Sequence, residues 1–467
     1  MTKPIPPLDL SWLLIESPAG TTHVGAMLLF KKPAGRAALA REIVQAYRAY
    51  PPSPPFNYVP ELLRGGMPHF REVASWDSHY HIQHLALPSG ARYDDLLRLV
   101  ADLHEAQLDR DRPLFRCWVI DGVPGGMFAI YTKTHHSIID GESGLKRLYA
   151  GLSTAARHTV PKPGFALGVP APASHPPAPI VERIADSIRA AVTQVEALNQ
   201  VSVGALRKTL AALVGSHLEG SLPFTAHHAP TNAPLRMGRR FATLALPLDE
   251  MHEVGRHFGA TFNDVAVTLV DAGLHAYLRE TGRAFAHPFV AMCPVSLRAE
   301  GDTAIGTRVS AMFVRLGEPA ATARERIGQV VDSIATAKKE LGGMSTDAAM
   351  TYAVGLVALA GLGASTHLDR VGHPACNLVV SNVPGTKEPR YLNGARLVGI
   401  YPVSALAASI GLNATLTSYD GCMDFGFVAN AAAIEDLPEL AHHTLQAYKE
   451  LKKAAGIQPA APKRAIS

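Results

Sequence analysis

Tyr131–Gly144 reads YTKTHHSIIDGESG, a histidine pair and an Asp-Gly at fixed spacing behind an apolar run. Met127–Thr134 is rich in β-branched and aromatic residues with Lys133 as its one charge, which is the composition of a buried strand. His135 and His136 follow, and Asp140-Gly141 turns the chain into a helical pattern expected from Ser143 to Leu152. Successive side chains of a strand point to opposite faces, so one imidazole faces a cleft and the other faces the protein. A neutral imidazole fixed at a strand end is a natural general base for a hydroxyl near neutral pH. Two histidines and an aspartate could also ligate zinc. Adjacent histidines on extended backbone diverge, however, and no Glu or third His follows at helical spacing, so no metal is expected.

His-His occurs three times, at His135-His136, His227-His228 and His442-His443. The last pair falls in an amphipathic helical pattern, LPELAHHTLQAYKEL, where a solvated face explains it. The middle pair lies in a loop-like run between Phe224 and Pro234. Only the first has the Asp-Gly partner and the strand–loop–helix setting.

Around this stretch the chain divides into two halves and a connector. Residues 1–157 carry strand patterns at Thr22–Phe30, Arg116–Ile120 and Met127–Thr134, and helical patterns at Gly35–Tyr50 and Tyr93–Leu108. The connector, 158–220, opens with a proline-rich run from His158 to Pro179 that blocks regular structure, then reads as one or two helices over Ile180–Gly220. In 221–467, strands are expected at Arg240–Leu246, Phe289–Val295, Thr307–Arg315, Asn377–Val380 and Leu397–Pro402, with helices at Asp249–Phe258 and Asn263–Thr281. A hairpin, Leu412–Tyr419 with Cys422–Ala429, turns at Asp420-Gly421. Strands mixed with long helices in each half give an α/β chain of α+β layers.

Composition narrows the function. A chain of 467 residues with 47% hydrophobic content is globular, and its formal charge of +4 is no footprint for nucleic acid. Four scattered cysteines without a C-x-x-C indicate neither zinc nor a disulfide framework. The N-terminal MTKPIPPLDLSWLLIE lacks the basic-then-apolar order of a signal peptide, so a cytoplasmic protein is expected. There is no G-x-S-x-G elbow, since Leu145 stands where the last glycine belongs, and no phosphate-cradling glycine loop. Cys117 has only Arg116 as a basic neighbour. A covalent intermediate on serine or cysteine is therefore unsupported.

The spacing H-H-x-x-x-D-G resembles that of the bacterial wax ester synthase/diacylglycerol acyltransferase family, within the CoA-dependent acyltransferases. Further segments are similar to that family: His23-Val24-Gly25, Asp111–Phe115 (with Phe115 where Trp is more usual), Asn263-Asp264-Val265, Cys293–Arg298 and Ser381–Gly385. Thr307 and Asn430 depart from its pattern. The resemblance implies two chloramphenicol-acetyltransferase-like domains with a tunnel at their interface. It makes His136 the reactive base, His135 a packing or positioning residue, and Asp140, beside Gly141, a structural acid paired with an arginine, for which Arg298 is the candidate. It also implies acyl-CoA and a lipid alcohol as substrates, no cofactor beyond them, and diacylglycerol or a long-chain alcohol as acceptor. The residues themselves leave alternatives open. Thr261-x-x-Asp264 is also a helix-capping pattern, and Pro384-Gly385 also reads as a turn beyond Ser381 and Asn382. Asn263, Ser381 and Asn382 are candidates to hold an oxyanion or position substrate. A condensation-type acyltransferase on a carrier-bound substrate, and a non-catalytic lipid-binding protein of the same fold, are the rival readings.

Two apolar segments bear on location. Ala348–Ala364 is at the short end for a membrane span and reads first as a buried helix, and Leu206–Leu213 is apolar but for Arg207 and Lys208. The expectation is peripheral contact with a membrane or lipid-droplet surface, with no specific protein partner.

Overall fold

The computed structural model describes residues 2–62, 67–168, 223–297, 309–343, 373–406 and 409–457, with positions 349, 352, 353, 355 and 356 besides. The helical connector of 180–220, Arg298 and Leu206–Leu213 lie outside the described residues.

Two six-stranded sheets organise the chain. Across the first run β12 (Tyr391–Leu392), β13 (Ala395–Val403), β2 (His23–Lys31), β7 (Met127–His135), β6 (Phe115–Val123) and β5 (Ile82–Ala86). Across the second run β10 (Val309–Arg315), β9 (Val290–Ser296), β11 (Leu378–Thr386), β14 (Leu412–Tyr419), β15 (Cys422–Asn430) and β8 (Arg239–Pro247). A small sheet of β1 (Thr2–Pro4), β4 (His69–Glu72) and β3 (Tyr58–Glu61) flanks the N-terminus.

Both central strands of the first sheet are apolar on both faces, and their period of two sorts the core. Leu28, Phe30, Phe128 and Ile130 pack with Leu39, Ile43 and Val44 of α2 (Leu39–Arg48). Met27, Leu29, Ala129 and Tyr131 pack on the other face with Leu96 and Val100 of α4 (Tyr93–Glu105), beyond the one-turn α3 (Ser78–His81). Helix α2 starts at Leu39 rather than Gly35, whose φ of +76° belongs to a turn. The C-terminal end of α4 is closed by a buried lysine: Lys133 Nζ donates to Leu103 O at 2.6 Å and to Ala106 O.

The second sheet buries its apolar face under the helices Leu248–Phe258, Phe262–Glu280, Ala323–Gly342 and Leu437–Ala454. The helix Phe262–Glu280 begins on a capping box. Thr261 N donates to Asp264 Oδ2 at 2.8 Å, and Asp264 N donates to Thr261 Oγ1 at 3.2 Å.

The halves are interleaved. Strand β13 comes from the second half of the chain yet pairs with β2 of the first sheet. Its neighbour in space is β15: Asp424 Oδ2 accepts from Ile400 N at 2.9 Å, and Gly426 lies so close to Pro402 O that a Cβ there would stand 1.8 Å from it. Strand β11 also exceeds its expected span. It runs through Pro384-Gly385 to Thr386 with a register shift after Val383, where a turn was expected. Ser381 and Asn382 therefore sit inside a paired strand, opposite Thr415 and Leu416. Of the segment 348–364, the described Ala349, Tyr352, Ala353 and Leu356 are buried. No helix among the described residues is long and apolar enough to cross a membrane.

Candidate active site at the seam of the sheets

A cavity of about 690 Å³ runs between the two sheets, walled by both. On the first sheet, Ile130, Thr132, Thr134 and His136 line it in strict alternation along β7 and its end. Tyr131, Lys133 and His135 point to the opposite face. The pleat thus separates the histidine pair, as strand geometry requires.

His135 is fully buried and held at both nitrogens. Nε2 lies 3.0 Å from Thr22 Oγ1 and 3.6 Å from Glu16 Oε2, while Nδ1 lies 2.8 Å from Ser137 Oγ and accepts from Ser137 N at 3.1 Å. Glu16 is the hub of this buried group, with His23 Nε2 at 3.0 Å and Arg110 Nη2 at 2.8 Å. Burial alone would raise the Glu16 pKa, but the bonds to His135 and His23 outweigh it and hold the carboxyl well below its usual range. His23 is pushed down to about 4, chiefly by burial, and Lys133 down to about 7 for the same reason. His104 extends the network, with Nδ1 2.7 Å from Tyr131 Oη and Nε2 3.1 Å from Ser404 O.

His136 differs in every respect. It is half-buried on the cavity wall, and its ring stacks on Trp12 of α1 (Pro7–Ile15), centroids 4.3 Å apart and planes 17° off parallel. Nδ1 is buried. Burial lowers its pKa to about 4, against a hydrogen bond to its own backbone and the Asp140 carboxylate, which raise it. At neutral pH the ring is uncharged and able to accept a proton.

Asp140 caps the next helix. Its Oδ1 accepts from Ser143 N at 2.8 Å, so α5 (Gly141–Ala150) starts two residues before the expected Ser143. Gly141 lines the cavity, and a Cβ there would meet Val383 Cγ2 of β11 at 3.6 Å. From the second sheet's half, Asn263, Ser381 and Asn382 reach the same cavity, and Met292, Met312 and Val380 make its wall apolar. The structure therefore brings His136, Asp140, Gly141, Asn263, Ser381 and Asn382 to one space and leaves His135 behind the wall. Sequence reasoning missed Trp12, Glu16, Lys133 as a helix cap, and His104. The spacing of Trp12 and Glu16, four residues apart at the end of a short helix, was the available signal.

Two interleaved sheet-rich halves closing on a histidine are the architecture of the CoA-dependent acyltransferases. A wax ester synthase/diacylglycerol acyltransferase from Marinobacter aquaeolei superposes with a TM-score of 0.77 at 26% identity, covering 97% of this chain and 100% of that one. The first condensation domain of the calcium-dependent antibiotic synthetase shares the fold, at a TM-score of 0.56 and 19% identity over 97% of this chain and 96% of that one. A Mycobacterium tuberculosis protein named a probable diacylglycerol O-acyltransferase is 32% identical over 472 residues, 98% of each chain. The catalytic-domain profile of the wax ester synthase/diacylglycerol acyltransferases matches residues 5–266, and their C-terminal-domain profile matches 305–452. The chain belongs to the wax ester synthase/diacylglycerol acyltransferase family and is an acyltransferase.

Proposed function

We propose that the chain moves a long-chain acyl group from acyl-CoA to the hydroxyl of diacylglycerol or of a long-chain alcohol, directly, with His136 as general base. The observation that carries this reading is the division of the pair: His136 is uncharged and on the cavity wall, whereas His135 is tied to Thr22, Ser137 and Glu16. His136 takes the hydroxyl proton as the acceptor oxygen bonds to the thioester carbonyl carbon. The carbon–sulfur bond then breaks, and the imidazolium returns the proton to the CoA thiolate. Atoms and charge balance without a resident cofactor. Asn263, Ser381 and Asn382 are the groups at hand to hold the oxyanion, worth on the order of 10²–10³-fold for one good donor. The names of the relatives favour diacylglycerol as acceptor, and the apolar wall suits long chains.

Acceptors of this kind reside in lipid surfaces, which is the reason to expect peripheral association there. Purified enzyme should float with liposomes, and protein that never does so would remove that part of the reading. The decisive experiment is lipid analysis of a host expressing wild type and His136→Ala, with acyl-transfer rates on purified protein. His136→Ala should keep its fold and lose on the order of 10²–10⁴ in rate. A folded His136→Ala enzyme working near the wild-type rate would overturn the mechanism.

A further inference from the structure

The short helix α1 carries Trp12 on the face that meets His136, and nothing in the reaction as written uses it. A single hydroxyl links it to the histidine pair. Thr22 Oγ1 lies 3.1 Å from Trp12 O, to which it donates, and 3.0 Å from His135 Nε2, while Thr22 O accepts from His136 N at 3.0 Å. One residue of β2's approach thus ties the indole's backbone to both histidines. The indole lies flat against the His136 ring and so bears on its plane.

We infer that Trp12 is a positioning residue whose indole face stabilises the His136 imidazolium formed during acyl transfer. A neutral imidazole on an indole gains only ordinary stacking energy. The same ring, once protonated, is a cation over the most electron-rich aromatic side chain, within the roughly 6 Å at which such attraction operates. The interaction therefore grows as the proton moves to His136, and a contact stronger in the transition state than in the ground state accelerates the step. The site also needs it. Burial disfavours charge on this ring; a hydrogen bond to its own backbone and the Asp140 carboxylate favour the cation, and His135 opposes it. An aromatic face adds stabilisation to the cation without adding a second carboxylate that would hold the ring protonated in the resting enzyme.

This inference rests on His136 being the base, and the test separates the two. Tryptophan analogues with one, two and three ring fluorines, introduced at position 12 of the full chain, keep the indole's shape while draining its face of negative potential. Single-turnover transfer rates should fall stepwise along the series, by about 2- to 30-fold in all, the range for a cation–aromatic contact. KM for acyl-CoA and the melting temperature should stay put, whereas a merely space-filling role would leave the rate unchanged as well. Trp12→Phe should fall within the series and Trp12→Leu below it. A rate flat across the fluorine series, with His136→Ala inactive, overturns the role of Trp12 alone; an active His136→Ala overturns the base and this inference with it.

Discussion

The two sheets are alike in strand number and differ in what they bury. Behind β7 the first sheet stores titratable groups in contact with one another: Glu16, His23, His104, Lys133 and His135, all but sealed from solvent. The second sheet lies under an apolar core of Met251, Leu269, Leu274, Phe425, Phe427 and their neighbours. Its well-defined buried ion pair, Arg326 with Asp271 at 2.5 Å, is locked by Gly317 N on the same carboxylate and by Arg326 on Glu318 O. One sheet backs the cavity wall that carries His136 with buried titratable groups; the other backs its wall with apolar side chains. Breaking buried charge in each should therefore have different consequences.

Among substitutions of these buried charges, Glu16→Ala should have the largest effect. It strips His23, His135 and Arg110 of their shared anion, and removal of one partner from a buried charged group costs about 3–5 kcal/mol. Because His135 is continuous with His136, the transfer rate of the molecules that remain folded should also fall, by about tenfold or more. Arg326→Ala should cost a similar 3–5 kcal/mol in urea unfolding, with the rate per folded molecule within about twofold of wild type, a margin set by the usual near-additivity of distant sites. Equal rate losses from the two variants would dissolve the contrast between backing and wall.

Acid should sharpen it. His23 and His81 in the first half are both pushed down to about 4 by burial. Their unfolded-state value is near 6.5, so between pH 6.5 and 4 the unfolded chain binds more protons. Stability falls with pH through that window, by on the order of 3 kcal/mol for each group. In the second half, His275 is pushed to about 3 by burial and then Arg326, and acts in the same sense. Asp271 is raised to about 6 by burial, with Arg326 opposing; its folded form takes up a proton first, so its contribution to stability rises as pH falls. The two partly offset. Amide exchange followed from pH 7 to 4.5 should show protection lost earlier in β7 than in β14, and simultaneous loss would mean that the halves answer acid as one.

Much of this was legible in the chain because it is local. The alternation of Ile130, Thr132, Thr134 and His136 separates the histidine pair in the sequence and on the cavity wall alike. The hairpin at Asp420-Gly421 and the Thr261–Asp264 cap come from turn and cap chemistry that acts over a few residues. What escaped depends on distant pairing. Nothing in Ala395–Val403 announces that it will add to a sheet begun at residue 23. The meeting of Glu16 with His135 spans more than a hundred positions, and the local spacing of Trp12 and Glu16 does not say which distant residues they will meet. Pro384-Gly385 misled for the converse reason: a local turn signal was overridden by the ladder with β14, at a point where Gly385 packs against Ser418 O.

The smallest expected effect concerns Asp140, and it asks whether the loop after the histidines is held by geometry or by charge. Its carboxylate caps α5 through Ser143 N, and loss of such a cap costs about 0.5–2 kcal/mol. Asp140→Ala should therefore melt lower by that modest amount and lose rate in proportion to the disturbance of Gly141 and the helix start. Asparagine is an equally good cap without the charge. Asp140→Asn should recover most of the melting temperature, since the capping bond needs only an oxygen acceptor, and should recover the rate to the extent that the helix start, rather than the charge beside His136, limits it. If the Asn variant melts like wild type but transfers acyl groups no faster than the Ala variant, the charge itself is needed. Asp140 would then join Trp12 in holding the His136 imidazolium, and the helix cap would be the lesser of its two functions.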